Sequence, residues 1–170
     1  MKRQTLTILL LAAVLVPAAA QTDASALLRK LQGKRVSFDF SLNTADKVSV
    51  KHSGNAVVEG ACYHIVDNGL ELWCDGTSRW TVDSSAKEVY IEPKGQEEEM
   101  LVSPSRLLSN VKDLVTGSTT ASGKYTGEGP GKGATFVLTS IKTSSPKGDP
   151  SEFAFDVSAL DKSWIITDLR

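Results

Sequence analysis

The chain has 170 residues, with 19 basic and 20 acidic side chains, two histidines and two cysteines. Removing Lys2 and Arg3 with the first twenty residues leaves 17 basic against 20 acidic ones, a net charge of -3. So even a balance lacks the basic excess of a nucleic-acid binder, and Gln21 to Arg170 is the right length for one domain with a sizeable core.

Residues 1–20 read as a secretory signal peptide. Met1-Lys2-Arg3 is positively charged, Leu6 to Val16 is apolar, and Ala18-Ala19-Ala20 offers a cleavage site before Gln21. The apolar run is too short to span a membrane, which takes about 20 residues. No Cys stands at the cleavage site, so no N-terminal lipid anchor is expected. The rest of the chain reads as a single exported, soluble domain, residues 21–170.

Asp23 to Gly33 predicts a helix. Thr22 or Asp23 caps it, Gly33 suits the position past its end, and Ala24, Leu27, Leu28 and Leu31 form one apolar stripe. The period then falls to two: Val36, Phe38, Phe40 and Leu42 alternate with Ser37, Asp39 and Ser41, which predicts a half-buried strand. Strands are expected at Lys47 to Lys51 and Asn55 to Glu59. Ala61 to Val66 and Leu70 to Cys74 flank the turn Asp67-Asn68-Gly69. Arg79 to Val82 and Glu88 to Glu92 follow around Asp83-Ser84-Ser85.

Gln96 to Glu99 reads as a solvated acidic loop. Ser103-Pro104 opens a second helix, whose apolar face would be Leu107, Leu108, Val111, Leu114 and Val115. Gly117 to Gly133 reads as a loop around a weak strand at Lys124 to Thr126. Strands at Ala134 to Ile141, Glu152 to Val157 and Trp164 to Thr167 complete the pattern. The fold class expected is α+β: one curved antiparallel sheet with two helices on its concave face.

Residue patterns for catalysis are sparse. The chain has no His-Glu-x-x-His, Gly-x-Ser-x-Gly or Cys-x-x-Cys. Gly127 to Gly133 resembles a phosphate loop, but Lys132 is followed by Gly133 and Thr126 stands where the first Gly belongs, so it reads as a surface loop. With a three-residue turn, Cys62 would face Cys74 across the hairpin, and an oxidising compartment would permit a disulfide. Two buried thiols are the alternative. A Cys74–His64 nucleophile pair lacks an orienting third residue, and a metal site at Cys62, His64 and Cys74 lacks a fourth ligand. The expectation is therefore no enzyme, cofactor or metal.

Asp75-Gly76 followed by Trp80, within Leu70 to Val82, resembles the Asp-Gly-x-x-x-Trp element of the outer-membrane lipoprotein carrier family, the LolA type. Other motifs agree in order: an N-terminal helix, the strand Val36-Ser37-Phe38-Asp39-Phe40, then Glu88-Val89-Tyr90-Ile91 and the proline-led Ser103-Pro104-Ser105-Arg106-Leu107-Leu108. The resemblance covers essentially all of residues 21–170. It implies an unclosed antiparallel half-barrel lidded by helices, with a hydrophobic cavity that shields lipoprotein acyl chains in the periplasm. Phe38, Phe40, Trp73, Trp80, Leu107, Leu108 and Val111 are the candidate cavity residues. Partners implied are acyl chains or another lipid, an inner-membrane exporter and an outer-membrane acceptor, served by a monomer. A second reading is a module of the same fold with a filled core, acting as a structural or protein-interaction protein, or a binder of another apolar ligand.

Overall fold

A computed structural model describes residues 24–44, 50–95, 104–128 and 131–170. The signal-peptide segment, the cap at Thr22 or Asp23, most of the strand expected at Lys47 to Lys51 and the acidic run Glu97 to Glu99 lie outside these.

Helix α1 (Ala24–Leu31) leads into β1 (Arg35–Asn43), β2 (Lys51–Glu59), β3 (Cys62–Asp67), β4 (Leu70–Cys74), β5 (Ser78–Asp83) and β6 (Glu88–Pro93). Helix α2 (Pro104–Ser109) precedes β7 (Val111–Thr116), β8 (Ala121–Tyr125), β9 (Thr135–Ser144) and β10 (Ile165–Asp168). One open sheet runs β10-β6-β5-β4-β3-β2-β1-β9-β8-β7. Every neighbouring pair is antiparallel except β10 and β6, which run parallel.

The expected fold class is corrected by this architecture. Among the described residues the fold is a ten-stranded mixed sheet, and the two α-helices have 8 and 6 residues. They do not form a helical layer covering a concave face.

Helix α1 ends as its sequence suggests: Lys34 N–H donates to Leu31 O at 3.2 Å, and Gly33 takes φ 66°. The second helix stops at Ser109, short of Val111, Leu114 and Val115, which belong to β7. The register of β7 on β8 shifts between Lys112 and Val115, and Asp113 has φ 54°. A bulge of this kind breaks the strand period of two. It gives Val111, Leu114 and Val115 the spacing of a helical stripe without a helix.

The Gly-rich stretch after β7 holds a full strand, β8, between β7 and β9. The strand expected at Glu152 to Val157 is instead two 3-10 turns, Pro150–Phe153 and Val157–Ala159. Asp149 and Asp156 accept from the backbone N–H of Ser151 and Ser158, which turns the chain before it can pair.

The hairpin β3–β4 also differs from expectation. Its loop is two residues, Asn68 (φ 50°) and Gly69 (φ 92°), the conformation that Asn-Gly favours in a tight hairpin. Asp67 therefore faces Leu70, and the register moves by one residue. Such a slip turns side chains to the opposite face. Cys74 lies across from Tyr63, not Cys62, and both thiols are unbonded. Gly54 on β2 marks a close approach: a β-carbon there would overlap the Val66 carbonyl oxygen.

Candidate functional site

The sheet buries apolar side chains on both faces, in two separate clusters. Residues paired across strands share a face, and successive residues alternate. On one face Val36, Phe38, Phe40 and Leu42 of β1 join Ala56 and Val58 of β2, Tyr63 and Ile65 of β3, Cys74 of β4, and Phe136, Leu138 and Ile141 of β9. Leu27 and Leu31 of α1 and Leu107 and Leu108 of α2 complete this inner cluster. The helices also pack on each other.

The outer cluster lies on the other face. Trp73 pairs with Trp80, and Trp80 with Ile91, so all three point one way, and Val82 and Val89 share that face one row below. Residues 145–164 cross over them as a strap. Ala154, Phe155, Val157, Leu160 and Trp164 pack on Trp80, Val82, Val89 and Ile91.

The seven candidate residues thus divide. Phe38, Phe40, Leu107 and Leu108 are buried in the inner cluster, and Val111 packs against it. Trp73 and Trp80 belong to the outer cluster and cannot line a common space with the phenylalanines. The one-residue alternation from Trp73 to Cys74 decides this.

Polar side chains concentrate where the strap meets the sheet, and sequence reasoning did not single them out. Arg35 on β1 contacts Glu59 at 3.2 Å and Glu152 at 2.9 Å, and its guanidinium lies 5.0 Å from the Phe153 ring centre. Lys147 holds Glu152 at 2.9 Å, and Gly148 N–H donates to Glu59 Oε1 at 2.7 Å. Glu59 sits below its ordinary pKa because of that Gly148 amide, helped by Lys147 and Arg35 and opposed by burial. Glu152 is lowered by Lys147 first and Arg35 next, again against burial.

Two histidine–carboxylate contacts stand on either face. His52 Nδ1 lies 2.6 Å from Asp67 Oδ2. His64 stacks on Trp73 with ring centres 3.6 Å apart, and Glu71 Oε2 lies 3.0 Å from both His64 Nε2 and Trp73 Nε1. Glu71 thereby occupies the nitrogens that hold this stack. Cys74 is 0% exposed and points away from His64, so the pair considered for nucleophilic chemistry is not assembled. Among the described residues no group of three or more His, Cys, Asp or Glu side chains is placed to hold a metal ion, and His64 lies on the face away from Cys74. Burial raises the Cys62 thiol, with Cys74 and Asp75 adding to the shift, which disfavours a reactive thiolate.

A signal for the strap was present in the sequence. Asp75-Gly76-Thr77, Asp83-Ser84-Ser85, Asp149-Pro150-Ser151, Asp156-Val157-Ser158 and Asp161-Lys162-Ser163 share the pattern Asp-x-Ser/Thr. In each, the Asp carboxylate accepts from the backbone N–H and the hydroxyl two residues on.

A scan against protein-family models finds no match to the chain, and a search of curated proteins finds none either. Among the described residues no helix is long and apolar enough to cross a membrane.

Proposed function

We propose that this chain is a non-enzymatic periplasmic carrier that shelters the acyl chains of lipoproteins, or a similar lipid, against the inner face of its sheet on the way to the outer membrane. The observation that carries the reading is the inner cluster: one contiguous apolar surface on an open sheet, closed by four leucines from two short helices. The reading of residues 1–20 as an export signal and the ordered motifs that resemble the carrier family support it. An inner-membrane exporter and an outer-membrane acceptor are the partners that such a carrier needs.

Magnitudes favour exchange. Helices shorter than about 12 residues are marginal on their own, so α1 and α2 are held mainly by what they bury. Four leucines at about 1.5–3 kcal/mol each contribute roughly 6–12 kcal/mol. A saturated chain of about 15 methylenes gains roughly 12 kcal/mol when fully buried, at about 0.8 kcal/mol each. The two are close enough for the lipid to replace the leucines and for the leucines to displace it again. This differs from a fixed lid: the closing element is the competitor for the site.

A fluorescent fatty acid added to residues 21–170 should bind and be displaced by palmitate. Leu107→Ala and Leu108→Ala together should tighten that binding, because they weaken the competitor. Absence of displaceable binding would end the reading.

The burial of Phe38, Phe40, Leu107 and Leu108, each at 4–7% exposure, favours a second one. In it the cluster is a permanent core, and the chain is a structural or interaction module. Copurification with a stable protein partner free of lipid would support that alternative.

A further inference from the structure

We propose that the free edge of β10 pairs with the β10 edge of a second copy of this chain, antiparallel and centred on Thr167. This rests on the geometry of β10 and not on the carrier reading. Among the described residues β10 ends the sheet. Ile165 N–H donates to Lys87 O at 2.9 Å and Leu169 N–H to Ile91 O at 2.8 Å. In a regular parallel ladder the amides alternate. Residues 165, 167 and 169 therefore turn to β6, while Ile166 and Asp168 turn theirs outward.

The two ends of the sheet are unlike. The edge at β7 carries the bulge at Lys112 to Val115, a device that blunts an edge against pairing. Strand β10 pairs with β6 without a register shift. Ile165, Ile166 and Leu169 are 59%, 45% and 59% exposed.

The occupant follows from the positions of these groups. An antiparallel neighbour must set outward amides against outward amides. Pairing Asp168 with itself would call on Arg170, whose N–H already donates to Asp168 Oδ1 at 3.1 Å. Pairing Ile166 with itself would call on Trp164, whose N–H already donates to Asp161 O at 3.2 Å. In the remaining register Ile166 meets the partner's Asp168, and the reverse, so both outward residues of each strand are used. Ile165 then lies across from the partner's Leu169, and the reverse, which covers four exposed apolar side chains. Arg170 holds Asp168 at 2.8 Å within its own chain, so Asp168 brings a compensated charge. A two-fold axis makes such an edge complementary to itself. Strand β10 has 4 residues, a short seam against the roughly 1,000 Å² of a tight interface, so the dimer is weak and concentration-dependent.

Sedimentation of residues 21–170 from micromolar to millimolar concentration should show a monomer passing to a dimer. Ile166→Pro removes an amide that faces away from β6 and should weaken the dimer at least tenfold with the melting temperature kept. Thr167→Lys, placing two lysines at the axis, should do the same if the proline variant fails to fold. In a Cys62→Ser background, Thr167→Cys should give a disulfide-linked dimer with an added oxidant, since facing residues there come within about 4.5 Å. Ile165→Cys should not link to itself. A monomer at every concentration, a dimer that survives Ile166→Pro and Thr167→Lys, or an edge that pairs only with another protein's strand would overturn the proposal.

Discussion

The two faces of the sheet are covered by different means. The inner cluster is closed by strands and by leucines on two helices, and none of its members carries a charge. The outer cluster is closed by a strap with little regular structure, shaped by aspartate turns and tied down by Arg35, Glu59, Lys147 and Glu152. One cover depends on burial alone. The other depends on hydrogen bonds and ion pairs as well as on half-exposed aromatics. The two should therefore fail under different insults.

Truncation in the inner cluster should cost most. Phe136→Ala, at a side chain 1% exposed, is expected to lose about 3–5 kcal/mol of stability, read by urea denaturation. Gly54→Ala should cost about 1–3 kcal/mol, since the added carbon meets the Val66 carbonyl and must push β2 from β3. A Gly54→Ala protein as stable as the parent would show that the two strands yield more easily than their pairing implies.

Phe155→Ala on the strap should cost less, about 1–2 kcal/mol, because that ring is only partly buried and meets Trp73 at 6.0 Å between ring centres. Arg35→Gln should change global stability little. It should raise the rate of proteolysis within residues 145–164 severalfold, as the strap loses its tie to β1. Equal protection in both proteins would place the strap's hold in its apolar contacts.

Acid sharpens the same contrast. Asp149, Asp156 and Asp161 sit below their ordinary values through the hydroxyls of Ser151, Ser158 and Ser163, and Asp168 is held at about 2 by Arg170. Glu59 and Glu152 are lowered as described. A carboxyl with a depressed folded pKa contributes stability fully above its unfolded value, about 4, and loses it as pH falls toward the folded one. The strap should therefore loosen as pH falls below about 4, while the charge-free inner cluster persists. Hydrogen exchange at those pH values should rise in residues 145–164 before it rises in β1 and β9. Simultaneous release of both would contradict the division.

Much of this fold was legible where one physical signal acted alone. Strand β1 alternates cleanly, so Val36, Phe38, Phe40 and Leu42 were placed on one face, and Gly33 marked the end of α1. Errors arose where two signals overlapped. The bulge in β7 imitates a helical stripe. A two-residue turn in place of three moved the β3–β4 register and separated Cys62 from Cys74. Phe153, Phe155 and Val157 alternate like a strand, but aspartates on either side bend the backbone first. Five of the seven candidate residues do meet: Phe38, Phe40, Leu107 and Leu108 because the strand and helix expected there do form, and Val111 even though it lies in β7 and not in the expected helix. Trp73 and Trp80 were assigned to the wrong face because nothing in their own segment says which side of the sheet is covered by what.

The most direct measurement is methyl and indole NMR of residues 21–170 during titration with palmitate. The account predicts that the methyl groups of Leu27, Leu31, Leu107 and Leu108 shift, while the Trp80 indole stays in place. Shifts confined to Trp73 and Trp80, or no shift at any of these groups, would contradict it.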